Sequence, residues 1–126
     1  MHVSKADLEP TVIGEYEGRS MDSGELRIAF ESMPAHFPPD ERPFKGLPGD
    51  RCQCDHWGYV LAGSVRVTYN DGGDEEIVRT GEAYHLRPGH FVQTIEPVQL
   101  LELSPVEEHD RTMAVIARNM GAVMTG

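Results

Sequence analysis

Between Glu25 and Phe30 the chain alternates polar or small with apolar positions at a period of two, the signature of a half-buried strand. Leu26, Ile28 and Phe30 interleave with Glu25, Arg27 and Ala29, and Met33-Pro34 ends the run. Tyr59-Val60-Leu61 and then Val65, Val67 and Tyr69 are strand formers on either side of Ala62-Gly63-Ser64, which predicts two strands meeting at a turn. Asn70-Asp71-Gly72-Gly73 tolerates positive φ, so Val65 to Arg79 reads as a hairpin closed by Glu76-Ile77-Val78-Arg79. Ala83 to Leu86, Phe91 to Ile95 and Val98 to Leu103 are further short β segments, bounded by Arg87-Pro88-Gly89 and Glu96-Pro97.

Two segments break the pattern. Pro34, Pro38, Pro39, Pro43 and Pro48 fix φ and remove amide donors, which predicts an ordered loop over 34–50. At the other end, Ser104-Pro105-Val106-Glu107 offers an N-cap, a first-turn proline and a capping-box glutamate. Val106, His109, Met113, Ile116 and Met120 then recur at helical spacing, and Gly121 is a suitable stop. The expectation is one mainly β domain over 1–126, with a barrel over about 24–104 and a helix over about 105–120 packed on it.

The chain has 126 residues, 39% of them hydrophobic, enough for one core. Its net charge of -10 argues against unaided binding to nucleic acid or to anionic lipid. The longest apolar run, Met113 to Ala117, is too short to span a bilayer, and residues 1–9 lack a signal-peptide pattern, so no membrane partner and a cytoplasmic location are expected. Only two cysteines occur, Cys52 and Cys54, so disulfides do not staple the fold, and a link between these two would be strained and redox-active.

Their meaning is therefore local chemistry. In an extended segment Cys52, Cys54 and His56 project from one face, three ligand-type side chains on a shared wall. His90, after Pro88-Gly89 at the start of another strand, is the natural fourth donor across a barrel. Glu102, a carboxylate within Leu100-Leu101-Glu102-Leu103, either faces solvent or enters the cavity as a ligand or general base. Tyr59, Tyr84 and Val92 are the expected pocket wall, His109 a helix contact, and His85 and Trp57 packing residues outside the site.

Trp57-Gly58-Tyr59-Val60-Leu61-Ala62-Gly63 resembles the end of the first cupin motif, and Gly81-Glu82-Ala83-Tyr84-His85-Leu86-Arg87-Pro88-Gly89-His90 resembles the second. The resemblance spans about residues 51–103 and implies a jelly-roll β-barrel holding a divalent metal, commonly as a homodimer. The ligands depart from the usual pattern. His56 stands where cupins have a glutamate, Asp50 and Cys52 where they have two histidines, and Val92 where the last histidine falls, with His90 two residues earlier. The donor set Cys52, Cys54, His56 and His90 is softer than a histidine-rich shell, favouring zinc first and iron second. Four donors would close the site as a structural centre, and three would leave a position for water or substrate. Two functions are compatible with this: a metal-dependent enzyme acting on a small organic molecule in the cavity, or a non-catalytic barrel that binds a small molecule or senses metal or redox state.

Overall fold

A computed structural model describes residues 1–70 and 72–125, with side chains through residue 121. Among the described residues nine strands, β1 (Pro10–Ile13), β2 (Tyr16–Ser23), β3 (Leu26–Met33), β4 (His56–Ala62), β5 (Ser64–Tyr69), β6 (Glu76–Arg79), β7 (Ala83–Leu86), β8 (His90–Thr94) and β9 (Val98–Pro105), precede one α-helix, α1 (Val106–Thr125). They form a six-stranded sheet ordered β1-β2-β3-β9-β4-β7 and a three-stranded sheet ordered β6-β5-β8, every pairing antiparallel. Among the described residues no helix is long and apolar enough to cross a membrane.

The expected strands from β3 to β9 all form, and two more precede them. The large sheet therefore begins at Pro10, upstream of the boundary expected near residue 24. β2 carries Gly18 and mostly polar residues, and it is held by seven register pairs with β3 and not by any strong propensity of its own. β5 and β6 make the expected hairpin, whose turn residue Asp71 lies outside the described residues. β4 and β5 do not pair with each other. Gly63, at φ 90, carries the chain from one sheet to the other, and a side chain there would collide with the Pro97 carbonyl.

The dry core lies between the sheets at one end of the barrel: Val60, Val65, Val67, Tyr69, Val78, Leu86, Val98 and Leu100. Each buried valine or leucine side chain contributes about 1.5–3 kcal/mol. Moving along β4 and β9 away from this core, Val60 opposite Leu100 gives way to Gly58 opposite Glu102, then to His56 beside Ser104. The interior thus changes from apolar to polar along its length.

The narrow sheet leaves one side of the barrel open, and the proline-rich loop and α1 close it. Phe37, Pro43 and Phe44 of the loop meet Met113, Ile116 and Met120 of the helix around a cavity of about 150 Å³. The Asn119 amide donates to both the Pro43 and the Lys45 carbonyls (2.8 and 2.9 Å), joining loop to helix. Arg27 joins the helix to the sheet through Asp110 (2.7 Å) while also holding Asp22 (2.8 Å).

Two expectations at the helix are corrected. Ser104 does not cap α1: it is the penultimate residue of β9, buried, and its hydroxyl pairs with His56 at 2.7 Å. A buried imidazole needing a partner outcompetes a helix end, whose Val106 amide donates instead to the Glu25 carbonyl. Nor does Gly121 end the helix, which continues to Thr125.

Candidate metal centre

Cys52, His56 and His90 meet at the polar end of the barrel, their ligand atoms all within 4.8 Å of one another and all three residues buried. Their sources differ. His56 opens β4, His90 opens β8, and Cys52 pairs with His90 as an isolated bridge that draws the two polypeptide segments together. The Cys52 Sγ lies 3.5 Å from His56 Nε2.

Both imidazoles are fixed from behind. His90 Nδ1 donates to the Arg87 carbonyl at 2.6 Å, so its Nε2 carries the lone pair. His56 Nδ1 lies 2.7 Å from Ser104 Oγ and 3.6 Å from Glu102 Oε2, leaving its Nε2 toward the thiol. Imidazoles anchored at Nδ1 by a carbonyl, hydroxyl or carboxylate are pre-oriented as Nε2 ligands. Burial lowers His56 and His90 to about 4, so both are neutral and able to ligate at physiological pH. Burial also pushes the Cys52 thiol up to about 12, so that it ionises only with a compensating cation.

Cys54 does not join this set. The alternation expected through 52–56 is interrupted, because Cys54 sits in a bend and β4 begins only at His56. Its fully buried Sγ donates to the Asp55 carbonyl at 3.3 Å, and neither cysteine is in a disulfide. The centre therefore has three clustered donors where four were expected.

Of the expected pocket wall, Tyr84 and Val92 line the cavity and Tyr59 does not. Tyr59 faces outward on β4, 41% exposed, because the inward positions of that strand are His56, Gly58 and Val60. Trp57 is likewise outward, stacked on His85, whose Nε2 pairs with Asp55 at 2.9 Å. Both stay outside the site, as the sequence suggested.

Glu102 is buried in the cavity and is not alone. Glu31 of β3 is hydrogen-bonded to it, Tyr16 donates to Glu31 at 2.6 Å, and Tyr84 donates to Glu102 at 2.8 Å. Two glycines make room for this row. Gly18, opposite Glu31, lies under the Tyr16 ring, and Gly58, opposite Glu102, lies under that of Tyr84; a Cβ at either would overlap the ring. Burial, and then the neighbouring Glu102, hold the Glu31 carboxyl well above its usual range.

Glu31, Tyr16 and Ser104 carried no sequence signal for the site. In β3 the apolar set Leu26, Ile28 and Phe30 suggested the inner face, yet Ala29 and Glu31 are the buried ones. His109 is more than a helix contact: it lines the cavity, 5.9 Å from the His56 ring, and accepts from Arg27 at its Nδ1 (2.9 Å). A guanidinium only donates, so the His109 proton sits on Nε2, and this imidazole is a donor and not a ligand.

No family model matches the chain, and no curated protein matches it. Solved structures do. An RmlC-like cupin from Shewanella frigidimarina NCIMB 400 superposes with a TM-score of 0.59 at 12% identity, over 82% of this chain and 87% of that one. The oxalate decarboxylase of Bacillus subtilis gives 0.57 at 17% identity, over 82% of this chain. The chain spans only 28% of the decarboxylase, an enzyme also described with Mn(II) centres. At these identities the likeness shows the fold, which is the cupin-type jelly-roll barrel with a C-terminal helix.

Proposed function

We propose that this protein binds a divalent metal through Cys52, His56 and His90 and is a small metal-dependent enzyme acting on an organic molecule held in the adjoining cavity. The observation that supports this most is the common aim of three buried donors, two of them imidazoles already anchored at Nδ1, onto one point at the cavity wall. One thiolate with two imidazoles suits zinc first and iron second, a softer set than manganese prefers. Three protein donors also leave a coordination position for a substrate oxygen or water.

When bound, the metal would supply Lewis-acid polarisation of an oxygen. The remaining work falls to this chain's own side chains. Ser104 and the Arg87 carbonyl hold the imidazoles, while the apolar wall of Val65, Leu86 and Leu100 excludes water. Glu102 is the candidate general base, a buried carboxyl that lines the cavity with Oε2 3.6 Å from His56 Nδ1. Two further parts of the reading concern surroundings: two free, buried thiols suit a reducing cytoplasm, and the apolar outer face of β4 suits a homodimer.

Elemental analysis of protein purified without added metal or chelator tests the centre. Near-stoichiometric zinc or iron is expected in the wild type and in Cys54→Ser, and its loss in Cys52→Ser, His56→Ala and His90→Ala. A wild type that takes up no metal under any loading condition would sink the proposal and leave a non-catalytic small-molecule-binding barrel.

A further inference from the structure

The polar end of the cavity has a charge balance that restricts what can enter. Two carboxyls, Glu31 and Glu102, are buried there, and the Tyr16 and Tyr84 hydroxyls are committed to them as donors. Among the described residues the cavity lining contains neither lysine nor arginine. Arg27, the guanidinium that reaches His109, is also engaged by Asp22 and Asp110. The polar groups left facing the cavity include the His109 Nε2–H, a neutral donor suited to an oxygen acceptor.

We propose that the cavity selects an uncharged, compact and mostly hydrocarbon molecule bearing one hydroxyl or carbonyl, and excludes carboxylates and phosphates. An anion would add unmatched negative charge to a site walled by Phe37, Phe44, Leu86, Leu100, Met113 and Ile116. A neutral ligand sets its oxygen at the polar end and its hydrocarbon against those side chains. The volume of about 150 Å³ fits a single six-membered ring, about six to eight non-hydrogen atoms. The placement of the ligand oxygen rests on the metal reading, whereas the exclusion of anions follows from the two buried carboxyls and the lack of a basic side chain in the lining. This is a different ligand class from the dicarboxylate named for the Bacillus subtilis decarboxylase that shares the fold.

Matched probe pairs test the proposal. Isothermal titration at neutral pH compares cyclohexanone with cyclohexanecarboxylate and phenol with benzoate, with oxalate as a further anion, on zinc-loaded and on chelator-stripped protein. The neutral member of each pair is expected to bind at least about tenfold more tightly in both forms. Val92→Phe, which fills the cavity, is expected to abolish that binding, and Glu102→Gln to narrow the gap between neutral and anionic probes. Equal or tighter binding of the carboxylates, no binding of the neutral probes at millimolar concentration, or binding that survives Val92→Phe would each overturn it. Zinc content of the same samples judges the metal centre separately, because a protein that takes no zinc still ranks neutral against charged probes.

Discussion

In β5, at the middle of the three-stranded sheet, Val65, Val67 and Tyr69 point into the barrel while Arg66 faces solvent. In the six-stranded sheet opposite, the polar end reverses that order: Glu31, His56, Glu102 and Ser104 are buried, whereas Leu26, Trp57, Tyr59 and Leu61 are 41–43% exposed. Cross-strand pairs of Tyr59 with Leu101 and of Leu101 with Phe30 extend the outer apolar surface over three strands. The small sheet is mostly core and gives the metal centre one donor, His90 at the start of its edge strand β8. The large one gives up part of its hydrophobic burial to hold a polar network inside, and retains on its outside an apolar face of the kind that marks an association surface.

The contrast between the sheets can be broken from its inner side first. Glu102→Ala leaves the Tyr84 hydroxyl without its acceptor and takes a neighbour from Glu31 and from His56 in a buried site, and urea denaturation should show a loss of about 3 kcal/mol. A loss under about 1 kcal/mol would mean the network is solvated and the reversal of faces is only apparent.

The second effect is on pH dependence in metal-stripped protein. His56, His90 and His109 are each lowered to about 4 by burial, so between roughly pH 6.5 and 4 the unfolded chain binds the protons that the folded one refuses. Stability is then present above that window and lost as pH falls through it. Glu31 acts in the opposite sense, since its raised carboxyl holds a proton that the unfolded chain releases above its ordinary value. Three imidazoles outweigh one carboxyl, and the net loss should be roughly 1–3 kcal/mol per pH unit, measurable as a falling Tm. A Tm flat from pH 7 to about 5 would contradict the buried neutral histidines.

A smaller change comes from the residue linking strand to ligand. Ser104→Ala removes the hydroxyl beside His56 Nδ1, at a cost of about 1 kcal/mol in stability but about 10–100-fold in zinc affinity, read by competition with a chromogenic chelator. Unchanged affinity would show that Glu102 alone orients the ring. Smallest of all for the folded monomer is Trp57→Ser on the outer face, about 0.5 kcal/mol or less. In analytical ultracentrifugation, however, it should convert a homodimer to monomer, and a wild type that already sediments as a monomer refutes the association face.

The strands from β3 onward, the helix and the ordered loop were legible because their alternation, prolines and glycines each act locally. The donors Cys52, His56 and His90 were legible as residue types, and the resemblance of both motifs to cupins placed them across a barrel from each other. Cys54 was misplaced because the alternation expected through 52–56 breaks at its bend, and Tyr59 because it lies an odd number of residues from His56 and so points to the opposite face of β4. Glu31 and Tyr16 escaped notice because a polar residue beside Phe30 reads as solvent-facing, and only pairing of β3 with both β2 and β9 turns it inward. Ser104 satisfied two local rules at once, and the distant imidazole decided between them.

The two hydrogen bonds that the Asn119 amide donates to the Pro43 and Lys45 carbonyls have a consequence for exchange rates. The loop and the helix bear on the cavity together, so a molecule passing between them must wait for that seam to part, and its arrival and departure share one barrier. Asn119→Ala should then quicken association and release by the same factor in stopped flow while the dissociation constant stays where it was. For a molecule that passes there, the seam sets how fast exchange runs, while the donor set and the lining of the interior set how tightly it is held.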